Sequence, residues 1–228
     1  IKNQNLDIVE FLLEKGSPCD QALFEAVSSR NAEIVNIVLK YNSKPSFINK
    51  LSMNGTALNQ AFVLGDFEIV KRLLSVPYID PSLYANDNIT PLVSAIKSFR
   101  LDLINLILDF YGEDIESQTW QLDEALKRIL KILSDEEKAI HPYKYNYIPY
   151  HPRKEFKEPK AINKSQVVLK ILNRLVQIKN INLNCRENKY TLLTFACETN
   201  EIDMVSMLVK SGKVNVNSYA PKNGNTPL

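Results

Sequence analysis

Adjacent apolar pairs recur along the chain, each followed by another apolar residue one helical turn later. Ile34-Val35 leads to Val38, Ile69-Val70 to Leu73, Leu103-Ile104 to Ile107 and Met204-Val205 to Leu208. This i, i+1, i+4 spacing puts the apolar side chains on one stripe of an amphipathic helix. Asp7-Ile8-Val9 through Leu12-Leu13 has the same pattern, with most of a preceding partner missing. A second landmark stands 13 residues ahead of each full pair. It reads Thr56-Ala57-Leu58, Thr90-Pro91-Leu92 and Thr191-Leu192-Leu193, with Gln21-Ala22-Leu23 in the first copy and Thr226-Pro227-Leu228 at the end. The spacing is 34 residues from Thr56 to Thr90 and 35 from Thr191 to Thr226, so the chain is built of repeats.

Local chemistry marks where each helix begins and ends. Thr56, Thr90 and Thr191 stand where an N-cap hydroxyl accepts from an orphan backbone N–H. Pro91 and Pro227 follow directly, at the first helical position, where a missing N–H costs nothing. Gly16, Gly112 and Gly212 come just past the second helix and predict left-handed C-caps. The β-prone pieces Tyr78-Ile79-Asp80, Asn180-Ile181-Asn182-Leu183 and Val214-Asn215-Val216-Asn217 predict an extended turn into the next Thr. Each unit therefore reads as helix, tight turn, helix, extended finger.

Thr90-Pro91-Leu92, Gly65-Asp66-Phe67-Glu68-Ile69-Val70 and Gly212-Lys213-Val214-Asn215-Val216-Asn217 resemble the start motif, the glycine turn and the finger of the ankyrin repeat. The resemblance covers nearly the whole chain. It implies an all-α, ankyrin-type helix-turn-helix solenoid with short extended β-hairpin fingers, forming one domain over 1–228. Partial repeats occupy 1–20 and 219–228, and full repeats occupy 21–50, 51–84, 85–117, 118–185 and 186–218. Two positions depart from the family. The residue after the start-motif Leu, typically His in the family, is Asn59, Val93 and Thr194. The mid-unit glycine is kept at Gly65 and replaced by Arg30, Phe99 and Asn200. These changes predict lost hydrogen bonds and less uniform repeats.

One unit is irregular. Leu122, Ala125, Leu126, Ile129 and Leu130 form a good first helix after Trp120, but the matching pair, Ile171-Leu172, comes 51 residues after Trp120 rather than 13. The repeat thus carries 38 extra residues, placed at about 134–164. Ser134 with Glu137 predicts a capping box and a short separate helix. The stretch beyond is rich in Pro, Tyr and cations, including Tyr143, Tyr145, Tyr147, Tyr150, Arg153 and Lys154. From Lys138 to Lys160 it holds six Lys or Arg against Glu155 and Glu158. Interleaved aromatics and cations suit contact with a partner, a nucleic acid or a phosphopeptide. The plain alternative is a surface loop whose tyrosines pack back on neighbouring helices. No recognition-fold signature accompanies the cations, which argues against specific nucleic-acid binding.

Composition narrows the field further. The 45% hydrophobic and 24% charged content fits a folded protein, and a net charge of +2 gives no general drive toward nucleic acid or anionic lipid. No apolar run is long enough to span a bilayer. Three cysteines, Cys19, Cys185 and Cys197, are too few for a disulfide framework, and neither His141 nor His151 lies near one at zinc-ligand spacing. They read as reduced, structural thiols in an intracellular, cytoplasmic protein. The sequence begins without Met and stops inside a start motif, which suggests a piece of a longer protein.

No catalytic constellation is apparent. The six glycines form neither a dinucleotide fingerprint nor a phosphate loop. Asp7, Glu33, Glu68, Asp102 and Asp203 each precede a second-helix apolar pair, which marks a repeated helix-start position rather than an acid–base pair. The expected role is a non-catalytic scaffold that binds a partner protein, with no metal or cofactor. Its rivals are a regulatory or targeting segment of a larger enzyme, channel or effector, and a nucleic-acid module using the Tyr-rich insert. The family's usual contact positions fall on Ser28 and Ser29, Val63 and Leu64, Lys97 and Ser98, and Glu198 and Thr199. The matching finger tips lie near Met53 and Asn54, Asn86 and Asp87, Glu187 and Asn188, and Pro221 and Lys222. Val63 with Leu64 would anchor a partner if exposed, the alternative being that one of the two packs on the next repeat.

Overall fold

The structure, a computed structural model, describes residues 6–16, 21–52, 55–84, 89–140 and 164–218, without side-chain detail at 113, 116–117, 136–140 and 164–165. It divides into two compact units, residues 1–115 and 116–228.

In the first unit, short first helices alternate with longer second helices. The first helices are α2 (Ala22–Ser28), α5 (Ala57–Leu64) and α7 (Pro91–Lys97); the second are α1 (Leu6–Glu14), α3 (Ala32–Tyr41), α6 (Phe67–Leu74) and α8 (Leu101–Tyr111). A single turn, α4 (Pro45–Ile48), follows α3. Each first helix packs on its own second helix, α2 stacks on α5 and α5 on α7, and the second helices stack in the order α1, α3, α6, α8. The apolar periodicity accounts for this. Leu23, Ala26 and Val27 on α2, Leu58, Ala61 and Phe62 on α5, and Leu92, Ala95 and Ile96 on α7 are all buried. An alanine recurs at the same position in each of these helices, and its small side chain lets them approach closely. Ile34, Val35 and Val38 on α3, Ile69, Val70 and Leu73 on α6, and Leu103, Ile104 and Ile107 on α8 form the opposing stripe and are also buried. Each such aliphatic side chain contributes about 1.5–3 kcal/mol of burial.

The second unit repeats the scheme with α9 (Thr119–Ile140), α10 (Lys164–Val176), α11 (Leu192–Glu198) and α12 (Ile202–Lys210). α9 packs on α11, α11 on α12 and α10 on α12. Ala125 and Ala196 hold the close-approach position here and are fully buried. The expected capping box at Ser134 does not exist. α9 runs unbroken through it, because Leu126, Ile129, Leu130 and Leu133 keep one buried stripe and the following Asp-Glu-Glu-Lys-Ala run favours helix. Residues 134–140 therefore belong to the irregular repeat's first helix.

Helix starts follow the sequence. Thr56, Thr90 and Thr191 each accept from the backbone N–H three residues on, at 3.3, 3.1 and 3.2 Å. The mid-unit turn is uniform despite its varied residues. Arg30 (φ 56°), Gly65 (φ 70°), Phe99 (φ 54°) and Asn200 (φ 60°) all adopt positive φ. Three repeats thus hold a side chain where glycine is at ease. Gly16 and Gly212 also take positive φ, whereas Gly112, at φ 52° and ψ −128°, lies outside the left-handed well expected of it.

The fingers are shorter than expected. Among the described residues they reduce to isolated bridges, Ser52 with Gly55 and Glu187 with Tyr190. The predicted extended pieces form Asx turns instead. Asp80, Asn182 and Asn215 each accept, through side-chain oxygen, the backbone N–H two residues on, at 2.8, 3.1 and 2.9 Å. These local bonds compete with strand pairing.

Candidate partner-binding surface

Stacking the first helices brings equivalent positions into register. Near their C-termini, Ser28 on α2, Val63 on α5 and Lys97 on α7 are exposed, while the neighbouring Ser29, Leu64 and Ser98 are half-buried. Two of these neighbours turn their hydroxyls onto their own helix: Ser29 donates to the Ala26 carbonyl and Ser98 to the Ala95 carbonyl, both at 2.6 Å. In the second unit Glu198 is exposed and Thr199 half-buried, its hydroxyl donating to the Phe195 carbonyl at 2.9 Å. Within each pair, then, the first residue faces outward and the second helps close the helix. Val63 is 57% exposed, so the apolar pair splits, with Leu64 alone partly covered.

The finger bases of the first unit add two more apolar groups, Leu51 at 53% and Tyr84 at 48% exposure. The charges near this face are mostly cationic: Arg30, Lys50, Lys97 and Arg100 are exposed. Arg100 donates to the Gly65 carbonyl and pairs with Asp102, tying one mid-unit turn to the next. That hydrogen bond lowers the Asp102 carboxyl below the usual carboxylate range and raises Arg100. In the second unit Glu198 pairs with Lys189 at 3.7 Å, and the Lys189 ammonium lies 4.5 Å from the centre of the Tyr190 ring. Asn86, Asp87, Met53, Asn54, Pro221 and Lys222 lie outside the described residues. So do the insert positions Tyr143, Tyr145, Tyr147, Tyr150, Arg153 and Lys154, and the cysteine Cys19.

Two polar features fix the register of this face, and the sequence reading missed both. Asn59 is buried. It pairs with the Thr56 hydroxyl at 2.9 Å and donates to the Ile89 carbonyl of the following repeat at 2.8 Å. The hydrogen bonding expected to vanish here is carried by a carboxamide in place of imidazole. At the equivalent Thr194, the hydroxyl accepts from the Thr191 N–H at 2.8 Å and completes a capping box. Val93, and Phe24 in the first copy, offer no polar side-chain group there. The second feature is a clamp made by Asn49 and Asn184, each 7 residues ahead of a start-motif threonine. That shared offset was the available signal. Asn49 donates to the Tyr78 carbonyl at 2.8 Å and accepts from the Asp80 N–H at 2.9 Å. Asn184 does the same with Lys213 and Asn215, at 3.0 and 2.6 Å.

Burial pushes Cys185 up to about 12 and raises the half-buried Cys197. Neither is in a disulfide. No helix among the described residues is long and apolar enough to cross a membrane.

Residues 23–119 match the family model for ankyrin repeats, as three copies. The chain has the ankyrin-repeat fold, and residues 23–119 are its matched ankyrin repeats. Its repeats are 28% identical to alpha-latrocrustotoxin-Lt1a of Latrodectus tredecimguttatus over 140 residues, 55% of this chain. The match spans about 9% of the length of that curated relative. Among solved structures, the ankyrin repeat domain of Bcl-3, described as a unique member of the IkappaB family, is similar with a TM-score of 0.60 at 17% identity. That similarity covers 99% of this chain and 88% of the other. The human ASB11 ankyrin repeat domain is similar with a TM-score of 0.44 at 17% identity, covering 90% and 89%. Ankyrin repeats are generally protein–protein interaction modules.

Proposed function

We propose that this chain is a non-catalytic scaffold that holds a partner protein on the first-helix face of residues 21–115. The observation that carries the reading is the exposure of Val63 in line with Ser28 and Lys97, on helices whose other apolar residues are buried or half-buried. An isolated exposed aliphatic residue is ordinary. Here it shares a repeat unit with the exposed finger-base Leu51, and Tyr84 stands at the next finger base, so a partner could cover several apolar groups at once. The surrounding Lys50, Lys97 and Arg100 would form the polar rim. Asn86 and Asp87 extend the proposed contact set, and Glu198 and Thr199 are proposed as the equivalent contact pair of the second unit. Cys185, with its thiol held protonated, has no assigned chemistry in this reading. The compartment we propose is the reducing interior of the cell.

Affinity capture with wild type and Val63→Arg tests the reading. Loss of the recovered partner, with an unchanged melting temperature, is the expected result; equal recovery would refute this face as the binding site. A second reading has the repeats serving as a targeting segment of a larger protein. It is favoured by the curated relative, of which the matched stretch is about 9%. Sequencing the full reading frame decides it: a catalytic or membrane domain in the same chain is expected, and its absence would eliminate the reading.

A further inference from the structure

The seam between α10 and α12 in the second unit is open. It forms a groove of about 590 Å³, walled by Asn173 on α10, by Gln177 just past the end of α10, and by Ser206 and Lys210 on α12, with Val176 and Met207 also lining it. The α1–α3 seam, of the same kind, is filled by its own side chains. In the first unit, α1 and α3 are stacked second helices, as α10 and α12 are. Aligning their apolar pairs places Glu10 and Glu14 of α1 at the positions of Asn173 and Gln177, and Lys40 and Tyr41 of α3 at those of Lys210 and Ser211.

The α1–α3 seam is closed by carboxylates. Lys40 donates to Glu10 at 3.0 Å, and the Tyr41 hydroxyl donates to Glu10 at 3.3 Å and to Glu14 at 2.9 Å. Compared with the α1–α3 seam, the α10–α12 seam has the same lysine but carboxamides in place of both carboxylates, and serine in place of the tyrosine. At that last position the repeats of α3, α6 and α8 carry Tyr41, Val76 and Phe110, each larger than Ser211. The groove therefore presents N–H and O–H donors without the acceptors that complete them in the related seam. Asn173, Gln177, Ser206 and Lys210 have no side-chain hydrogen bond or ion pair with any described residue.

Charge points the same way. Lys210 and Lys213 line the groove against the single carboxylate Asp203. Asp203 occupies the helix-start position that is also acidic at Asp7, Glu33, Glu68 and Asp102, at one end of α12. Lys213 is committed to the end of α10, donating to the Val176 and Ile178 carbonyls at 2.8 and 2.7 Å. Lys210 remains as the groove's uncommitted cation.

We propose that the α10–α12 groove binds an acidic peptide segment of a partner protein, whose carboxylates take the places that Glu10 and Glu14 fill in the α1–α3 seam. A carboxylate there accepts from Lys210 and from the carboxamides of Asn173 and Gln177, and charge-assisted bonds of this kind are the stronger ones. The site lies in the second unit and is separate from the first-helix face proposed above.

The test is fluorescence anisotropy of the full chain with a short labelled peptide of alternating Glu and Ser, beside the same peptide with Gln for Glu. Saturable binding of the Glu peptide alone is expected, weakened by added salt. Ser211→Tyr, which refills the groove, and the double variant Asn173→Glu with Gln177→Glu, which restores internal carboxylates, should each weaken it at least about tenfold. Lys210→Ala, at an exposed position, should do the same with an unchanged circular dichroism spectrum. Val63→Arg should leave this binding untouched, which separates the groove from the first-helix face. No saturable binding of the Glu peptide, equal binding of both peptides, or binding indifferent to Lys210→Ala would overturn the proposal.

Discussion

The carboxamide of Asn49 grips the backbone on both sides of Ile79, donating to Tyr78 and accepting from Asp80 in the following repeat. Asn184 repeats the grip on Lys213 and Asn215 in the second unit. Loops that would otherwise rest on solvent are thereby tied across neighbouring repeats. Replacing either asparagine with Ala removes a donor and an acceptor together. At about 0.5–1.5 kcal/mol net for each bond, the loss is about 1–3 kcal/mol. Asn49→Asp keeps the acceptor and removes the donor, so it should fall between wild type and Asn49→Ala. Urea denaturation of the three proteins measures this, and an Asn49→Ala midpoint equal to wild type would contradict the clamp.

Left-handed backbone at the mid-unit turn gives a second expectation. Arg30 is exposed with φ 56°, so its side chain contributes little packing while its backbone is strained. Arg30→Gly should stabilise the chain by about 1 kcal/mol, the cost of an L-residue in that region. Thermal melting checks the sign. Phe99→Gly relieves the same strain, but it removes a half-buried ring and should gain less.

Gly55 and Gly65 offer a paired comparison. Both have positive φ, yet a Cβ at Gly65 would meet only the Arg100 side chain at 3.6 Å, an ordinary contact. At Gly55 it would lie 2.9 Å from the Asn59 Nδ2 that donates to Ile89. Gly65→Ala should therefore lose only the conformational term of about 1–2 kcal/mol. Gly55→Ala should lose that and part of the buried Asn59 network as well. Equal losses in chemical denaturation would remove Asn59 from the account of inter-repeat register.

Asp102 gives a pH signature. Arg100 holds its folded pKa below the unfolded value, so the pair's stabilisation is present above about pH 4, the ordinary aspartate pKa, and is lost as pH falls through the depressed folded value. Arg100→Gln should thus be less stable than wild type near neutrality, and the gap should narrow on acidification. Because the pair is largely exposed, the gap should be at most about 1 kcal/mol. A gap that is constant from neutrality to strong acid would assign the effect to packing instead.

The helices were legible because burial imposes a period on the sequence. Leu58, Ala61 and Phe62, with Ile69, Val70 and Leu73, declare two facing stripes. The threonine caps were legible because an orphan N–H demands an acceptor at one place. Other features leave weaker marks. Nothing in Arg30 or Phe99 signals positive φ, since their conformation is imposed by the helices on either side. Ser134 carried a start signal in its residue types, but the buried stripe through Leu133 sustained α9 past it. Asn49 and Asn184 look like ordinary loop residues until the loops they hold are placed beside them. The positions Ser28, Val63 and Lys97 came from the family resemblance and the repeat register, whereas the exposure of Val63 and the half-burial of Leu64 required the packing.

The proposed binding face is tested most directly by placing a photo-crosslinking amino acid at Val63 and at Lys97, with Ser75 as an exposed control just beyond a second helix. After irradiation in the presence of the captured partner, covalent adducts should form from Val63 and Lys97 and be absent from Ser75. Adducts from Ser75 with none from Val63 or Lys97 would contradict a partner seated on the first helices.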